Sequence, residues 1–148
     1  MKFSLTSLKI SIAGAKLSHL VQKDKAWDHG SMSEQARIIF YLVQKANANG
    51  NIQSLKKHCS VSCFEKLGSE ELNKQKILWL IKPVIKEIAI VDVQPGKNNR
   101  PDMFRTLIKG MDKNGKSEHD ILNEFTAKCS FVRQGEWWLL DEIRIKNF

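Results

Sequence analysis

Hydrophobic and polar positions fall into two textures that change at Pro83. Before it, apolar residues recur every three to four positions. Ala36, Ile39, Phe40, Val43 and Ala46 share one helical face, and Ser31-x-x-Glu34 just ahead of them has the pattern of a capping box. This predicts a helix over 33–48, stopped near Gly50. A second, shorter helix opens at Asn51 or Gln53 and runs through Leu55, Lys56 and His58. Residues 61–67 continue as a helical turn or third helix. Gly68 breaks the chain, Glu70 and Glu71 suit a first turn, and Leu72, Ile77, Leu78, Leu80 and Ile81 predict another helix. That helix holds Trp79 and stops at Pro83.

After Pro83 the period shortens to two. Residues 84–93 are β-branched and end at Pro95-Gly96, a turn signal. Residues 103–111 alternate, with Phe104, Thr106 and Ile108 on one side. Asp112-Lys113-Asn114-Gly115 has hairpin-loop chemistry. In 121–132, Phe125, Ala127, Cys129 and Phe131 take one face, and Thr126, Lys128 and Ser130 the other. Gln134-Gly135 turns the chain into a last strand over 136–145. There Trp137, Leu139, Asp141, Ile143 and Ile145 are assigned inward, and Trp138, Leu140, Glu142 and Arg144 outward. Helices followed by hairpin-linked strands mean an α+β fold. The sequence predicts a curved antiparallel sheet of about four strands wrapped around the amino-terminal helices. The shape is a cone with an internal cavity lined by Phe40, Trp79, Phe125, Phe131, Trp137 and Asp141.

The amino terminus adds a different element. Its first 23 residues carry no acidic side chain, and Lys2, Lys9, Lys16 and Lys23 recur every seven positions. On a helix that spacing keeps them near one stripe. Leu5, Leu8, Ile12, Leu17, Leu20 and Val21 supply apolar surface. A basic amphipathic segment of this kind suits an anionic membrane surface. Asp24 to Gly30 is polar and reads as a hinge, which divides the chain into a basic arm over 1–30 and one domain over 31–148.

Composition agrees with an ordinary globular chain: 148 residues, 42% hydrophobic and 27% charged, with net charge +8. No apolar run is long enough to span a bilayer as a helix. The excess charge sits in the first half, +3 over 1–30 and +4 over 31–83, against +1 over 84–148. It favours an acidic partner. The three cysteines, Cys59, Cys63 and Cys129, read as small buried hydrophobes in a reducing compartment. Cys59 and Cys63 would share a helix face with His58 nearby, but no metal-site spacing is complete.

Two blocks carry a resemblance. The first is Ala36 to Leu55, with Phe40, Gln44 and Ala46 on a helix, then Gly50 and a short helix opening towards Leu55. The second is Phe131-Val132-Arg133 followed by Trp137-Trp138-Leu139-Leu140-Asp141-Glu142-Ile143. With the element order, these resemble the nuclear-transport-factor-two-like superfold. More narrowly, they resemble the carboxy-terminal domain of the mitochondrial inner-membrane translocase subunit forty-four and its bacterial relatives. The departures are Ala127 and Cys129, where the family often has Glu and Trp, and a preceding basic region of only some thirty residues. The resemblance covers 31–148. It implies a non-enzymatic scaffold or tether, peripheral on an inner membrane (matrix or bacterial cytoplasmic side). Its partners would be anionic lipid, a translocation component or a ribosome.

The superfold also hosts isomerases and hydratases, whose chemistry needs an inward carboxylate or His. Asp92, His119, Asp120, Glu124 and Asp141 are the candidates. Asp141 leads because its assigned face is aromatic. No Ser/His/Asp order, phosphate-cradling glycine loop or metal spacing accompanies them, so no cofactor is invoked. Sequence-specific nucleic-acid recognition is not indicated, since no basic-aromatic module is present. On the assigned outer face, Val132, Trp138 and Leu140 suggest a homodimer contact.

Overall fold

The computed structural model describes residues 5–68, 82–112 and 124–147. Helix α1 spans Leu5–Leu20 and helix α2 spans His29–Ala48, with a 3-10 turn at Lys25–Trp27 between them. A second 3-10 turn at Ile52–Leu55 leads to α3, Val61–Leu67. Four strands follow: β1 Pro83–Gln94, β2 Met103–Asp112, β3 Glu124–Gln134 and β4 Trp137–Asn147. They form one antiparallel sheet in the order β1-β2-β3-β4. The α+β class read from the sequence is therefore the observed one. The helix expected over 72–81, with Trp79, and the loop holding His119 and Asp120 lie outside the described residues.

Helix α2 starts earlier than the capping-box pattern suggests. Its cap is Asp28, whose side chain accepts from the Ser31 N–H at 2.8 Å. This satisfies one of the free donors of the first turn. Its far end closes through Asn49, with the Asn51 N–H on Ala46 O at 2.8 Å and Gly50 at φ +68°. Met32, Ala36, Ile39, Phe40, Val43 and Ala46 form its buried face. That face meets the inner side of the sheet, where Phe40 stacks on Phe125 at 5.6 Å.

Strand β3 alternates as expected, with Phe125, Ala127, Cys129 and Phe131 buried. Strand β4 does not. Leu140 pairs with Phe131 and Glu142 with Ser130, so Asp141 is an extra residue without a partner in the ladder. This bulge shifts the phase of the strand by one residue. Before it, Trp138 and Leu140 point inward and are buried; after it, Ile145 is buried and Ile143 packs on the core. The assignment of Trp137 and Leu139 to the inner face is thus overturned, as is that of Trp138 and Leu140 to an outer dimer face. Trp137 is instead 67% exposed.

The expected hinge at 24–30 is a docked segment. Trp27 is 3% exposed and meets Trp138 edge-on, with ring centroids 5.1 Å apart. The Trp138 Nε1–H donates to Ala26 O at 3.1 Å. Asp24 caps the 3-10 turn by accepting from the Ala26 N–H at 3.1 Å, and it also pairs with Arg133 of β3. Arg133 bridges onward to Asp102 at 3.0 Å. Two carboxylates on one guanidinium fasten the chain before α2 to the β2–β3 end of the sheet.

Candidate functional site

Helix α1 carries two apolar stripes. Ala13 and Leu17, four residues apart, are buried against the sheet at the β1 edge. Leu5, Leu8 and Ile12, spaced three and four apart, form a second stripe roughly 130° round the helix. It points to solvent, with exposures of 77%, 54% and 49%. Lys9 and Lys16 run between the two stripes. Of the four lysines singled out in the sequence, these two are brought together on α1. Lys23 is exposed in the turn after α1, and Lys2 lies outside the described residues.

Lys9 and Lys16 face a cleft of about 360 Å³ between α1 and β1, lined also by Ile12, Ala13, Asp92 and Arg105. The Lys16 ammonium donates to Val93 O at 3.5 Å, a long contact. From Lys9 a second cleft of about 450 Å³ crosses the face of the sheet opposite α2. Strand register explains its chemistry. Asp92, Arg105, Ser130 and Glu142 form one cross-strand row, and Ala89, Leu107, Lys128 and Arg144 form the next. Arg105 lies 3.7 Å from Asp92, and Arg144 lies 2.7 Å from Glu142. Lys128 faces Arg144 directly across β3 and β4. Like charges opposite one another destabilise a sheet, and Glu142 on Arg144 offsets part of that repulsion.

The sequence missed this cluster because Arg105, Lys128 and Arg144 lie on three strands. No local run of charge marks them. Only the register brings them beside Lys9.

The residues expected to line an inner pocket are placed differently. Phe40, Phe125 and Phe131 are core side chains, at most 1% exposed. Phe131 stacks on Phe104 at 4.8 Å, and Phe104 meets Trp138 edge-on at 4.7 Å. These rings fill the space between α2 and the sheet. Trp137 does line a cleft, but a surface one of about 420 Å³ with Ile38, Leu139, Lys57 and His58. Asp141, in the bulge, accepts from Ser60 Oγ at 2.7 Å. Ser60 Oγ in turn accepts from the Cys63 N–H as the cap of α3. That is a structural network at the strand edge. Burial, with Lys57 adding to it, holds the His58 imidazole below its ordinary pKa. Among the described residues no cluster of His, Cys, Asp and Glu has the arrangement to hold a metal ion.

Compared with known protein families and with curated proteins, the chain matches none. The resemblance to the translocase subunit domain rests on the residues quoted for it.

Proposed function

We propose that the protein is a non-enzymatic scaffold that docks peripherally on an anionic membrane surface through α1. One observation carries this reading: an exposed row of Leu5, Leu8 and Ile12 flanked by Lys9 and Lys16 on a helix already fixed to the sheet. Apolar side chains enter the boundary between headgroups and acyl chains while lysines meet the phosphates. Lys128, Arg105 and Arg144 beside Lys9 outnumber the one carboxylate of that cleft, Glu142, which supports an anionic rather than a neutral surface. No helix among the described residues is long and apolar enough to cross a membrane. The alternative, a small-molecule enzyme built in the cone, finds less support. Of its expected lining, Phe40, Phe125 and Phe131 are packed core, Trp137 is exposed, and Asp141 is engaged with Ser60.

Co-sedimentation of the full chain with anionic and neutral vesicles, at low and high salt, tests the proposal. Deleting everything before Ser31 is an unsuitable control because it removes Trp27 and Asp24 from the core contacts. Point variants replace it. Each lysine near an anionic surface contributes about 1 kcal/mol, so Lys9→Gln with Lys16→Gln weakens binding roughly 30-fold. Leu8→Ser with Ile12→Ser abolishes it. Equal binding to neutral vesicles, or variants that sediment like the wild type, would sink the reading.

A further inference from the structure

The outer face of the sheet holds a polar side chain that is buried and unpaired. Ser130 of β3 is 7% exposed. It shares its face of the strand with Lys128, opposite the face that Phe125, Ala127, Cys129 and Phe131 turn towards α2. Its hydroxyl makes no hydrogen bond to a described residue. Buried hydroxyls are normally paired; this one lines the cleft of about 450 Å³ beside α1.

Cations surround that hydroxyl. Arg105 on β2 and Glu142 on β4 are the cross-strand partners of Ser130, and such partners stand about 5 Å apart. Lys128 is two residues along the strand, about 7 Å away. Arg144 is the diagonal neighbour, at about 7–8 Å. Lys9 and Thr6 of α1 line the same cleft from the β1 side. Arg144 meets Glu142 through Nε at 2.7 Å, which leaves its two terminal nitrogens as donors. Arg105 Nη1 lies 3.7 Å from Asp92, beyond hydrogen-bond reach, so its guanidinium keeps its donors too. Four cations thus face two carboxylates, Glu142 in the cleft and Asp92 at its β1 edge, and the balance is positive.

We propose that this cleft binds a phosphate monoester, with one phosphate oxygen on the Ser130 hydroxyl and the others on the Arg105 and Arg144 guanidiniums and the Lys128 and Lys9 ammoniums. A hydroxyl and two guanidinium forks on three different strands present donors in more than one plane. The three terminal oxygens of a tetrahedral dianion match them, where a planar carboxylate offers two. A phosphate diester also has two terminal oxygens and a single charge, so it leaves donors unmatched. The cleft is larger than a phosphate group, which leaves room for the esterified alcohol. A lipid headgroup and a soluble phosphate ester offer the same chemistry. The inference deepens the membrane docking proposed above, on which its lipid source rests.

Two measurements on the full chain test the site. The first is co-sedimentation with phosphatidylcholine vesicles carrying either phosphatidic acid, a monoester, or phosphatidylglycerol, a diester, matched in zeta potential. The phosphatidic acid vesicles should bind about tenfold more tightly, the effect of one charge-assisted hydrogen bond. Ser130→Ala, which changes no charge, should remove that preference and leave binding to phosphatidylglycerol vesicles as in the wild type. Lys128→Gln, on an exposed side chain, should narrow it as well. The second is titration with glycerol phosphate, read as amide NMR shifts at Arg105, Lys128 and Ser130. A vesicle preference without those shifts assigns the lipid headgroup, and the shifts without a preference assign the soluble ester. Equal binding to both vesicles with no glycerol phosphate shifts overturns the site and leaves the membrane reading standing. A preference that survives in both variants overturns it too. Sedimentation with neither vesicle defeats the membrane reading, and the glycerol phosphate shifts then decide the site alone.

Discussion

Trp27→Ala is the sharpest test of whether residues 24–28 belong to the fold or hinge it. The side chain is 3% exposed, and its ring meets Trp138 edge-on. Removing it deletes a large buried surface and leaves a cavity beneath the Trp138 indole. Deletions of this kind cost about 3–5 kcal/mol, of which the edge-on pairing accounts for about 0.5–1.5 kcal/mol. A domain has only about 5–15 kcal/mol in all. For this chain length the loss corresponds to a fall in Tm of roughly 6–20 °C. Urea unfolding followed by far-UV circular dichroism reads the effect without relying on tryptophan emission. The midpoint should fall at constant slope. Trp137→Ala is the control, because that ring is 67% exposed and its loss should stay within about 0.5 kcal/mol. A Trp27→Ala cost below about 1 kcal/mol would refute the reasoning and restore the hinge.

Two further outcomes follow from local geometry. A Cβ at Gly110 would lie 2.1 Å from Val84 O and 2.9 Å from the Phe125 ring. Gly110→Ala should therefore cost about 3 kcal/mol or more in chemical unfolding, the upper end for overpacking; a neutral variant would mean that β1 is not paired there. Asp24 has a pKa lowered from 3.8 by its hydrogen bond from Arg133, with the Ala26 N–H assisting. Its folded pKa lies below its unfolded one. Its contribution is therefore complete above about pH 4 and lost as pH falls through the folded value. The stability gap between wild type and Asp24→Asn should be steady at neutral pH and close in acid. A gap that widens in acid would contradict the pairing.

How far the sequence foretells this fold depends on where its periodicity is interrupted. Strand β3 is read correctly because Phe125, Ala127, Cys129 and Phe131 alternate without a break on the face that α2 covers. Strand β4 is read in the wrong phase over its first half. Trp137-Trp138-Leu139-Leu140 is apolar at every position, so only Ile143 and Ile145 set a face, and the bulge at Asp141 reverses it. Strand β1 has two such irregularities, near Lys86 and Val91, which space its inward residues Ile85, Ile88, Ile90 and Val93 unevenly. The segment 24–30 misleads for another reason. Its polar residues are caps and an ion pair rather than solvated linker, and the signal against a hinge was the single large aromatic among them. The class of fold survives these errors because it follows from element order alone. The candidate site does not: three of its five basic residues, Arg105, Lys128 and Arg144, come from register across β2, β3 and β4.

Charge assembled by register separates two ways in which α1 could meet a membrane. If α1 acts as a detached arm, only its own side chains matter. If it binds while docked, Lys9 brings the basic row of Lys128 and Arg144 to the same surface, because all three line one cleft. The docked contact is modest: burying Leu17 contributes about 1.5–3 kcal/mol and Ala13 less. The Trp27 anchor, a few residues on, keeps α1 close and so limits what release would gain. Lys128→Gln and Arg144→Gln should therefore each weaken vesicle binding about fivefold, the effect of about 1 kcal/mol, although they lie more than a hundred residues from α1 in sequence. Neither side chain is buried, so folding is little affected. The comparison with Lys9→Gln is made on the same vesicles at one salt concentration. Equal losses would mean that helix and sheet face the lipid together. Loss with Lys9→Gln alone would mean that α1 leaves the sheet to bind. In that case the like-charge row serves some other anion.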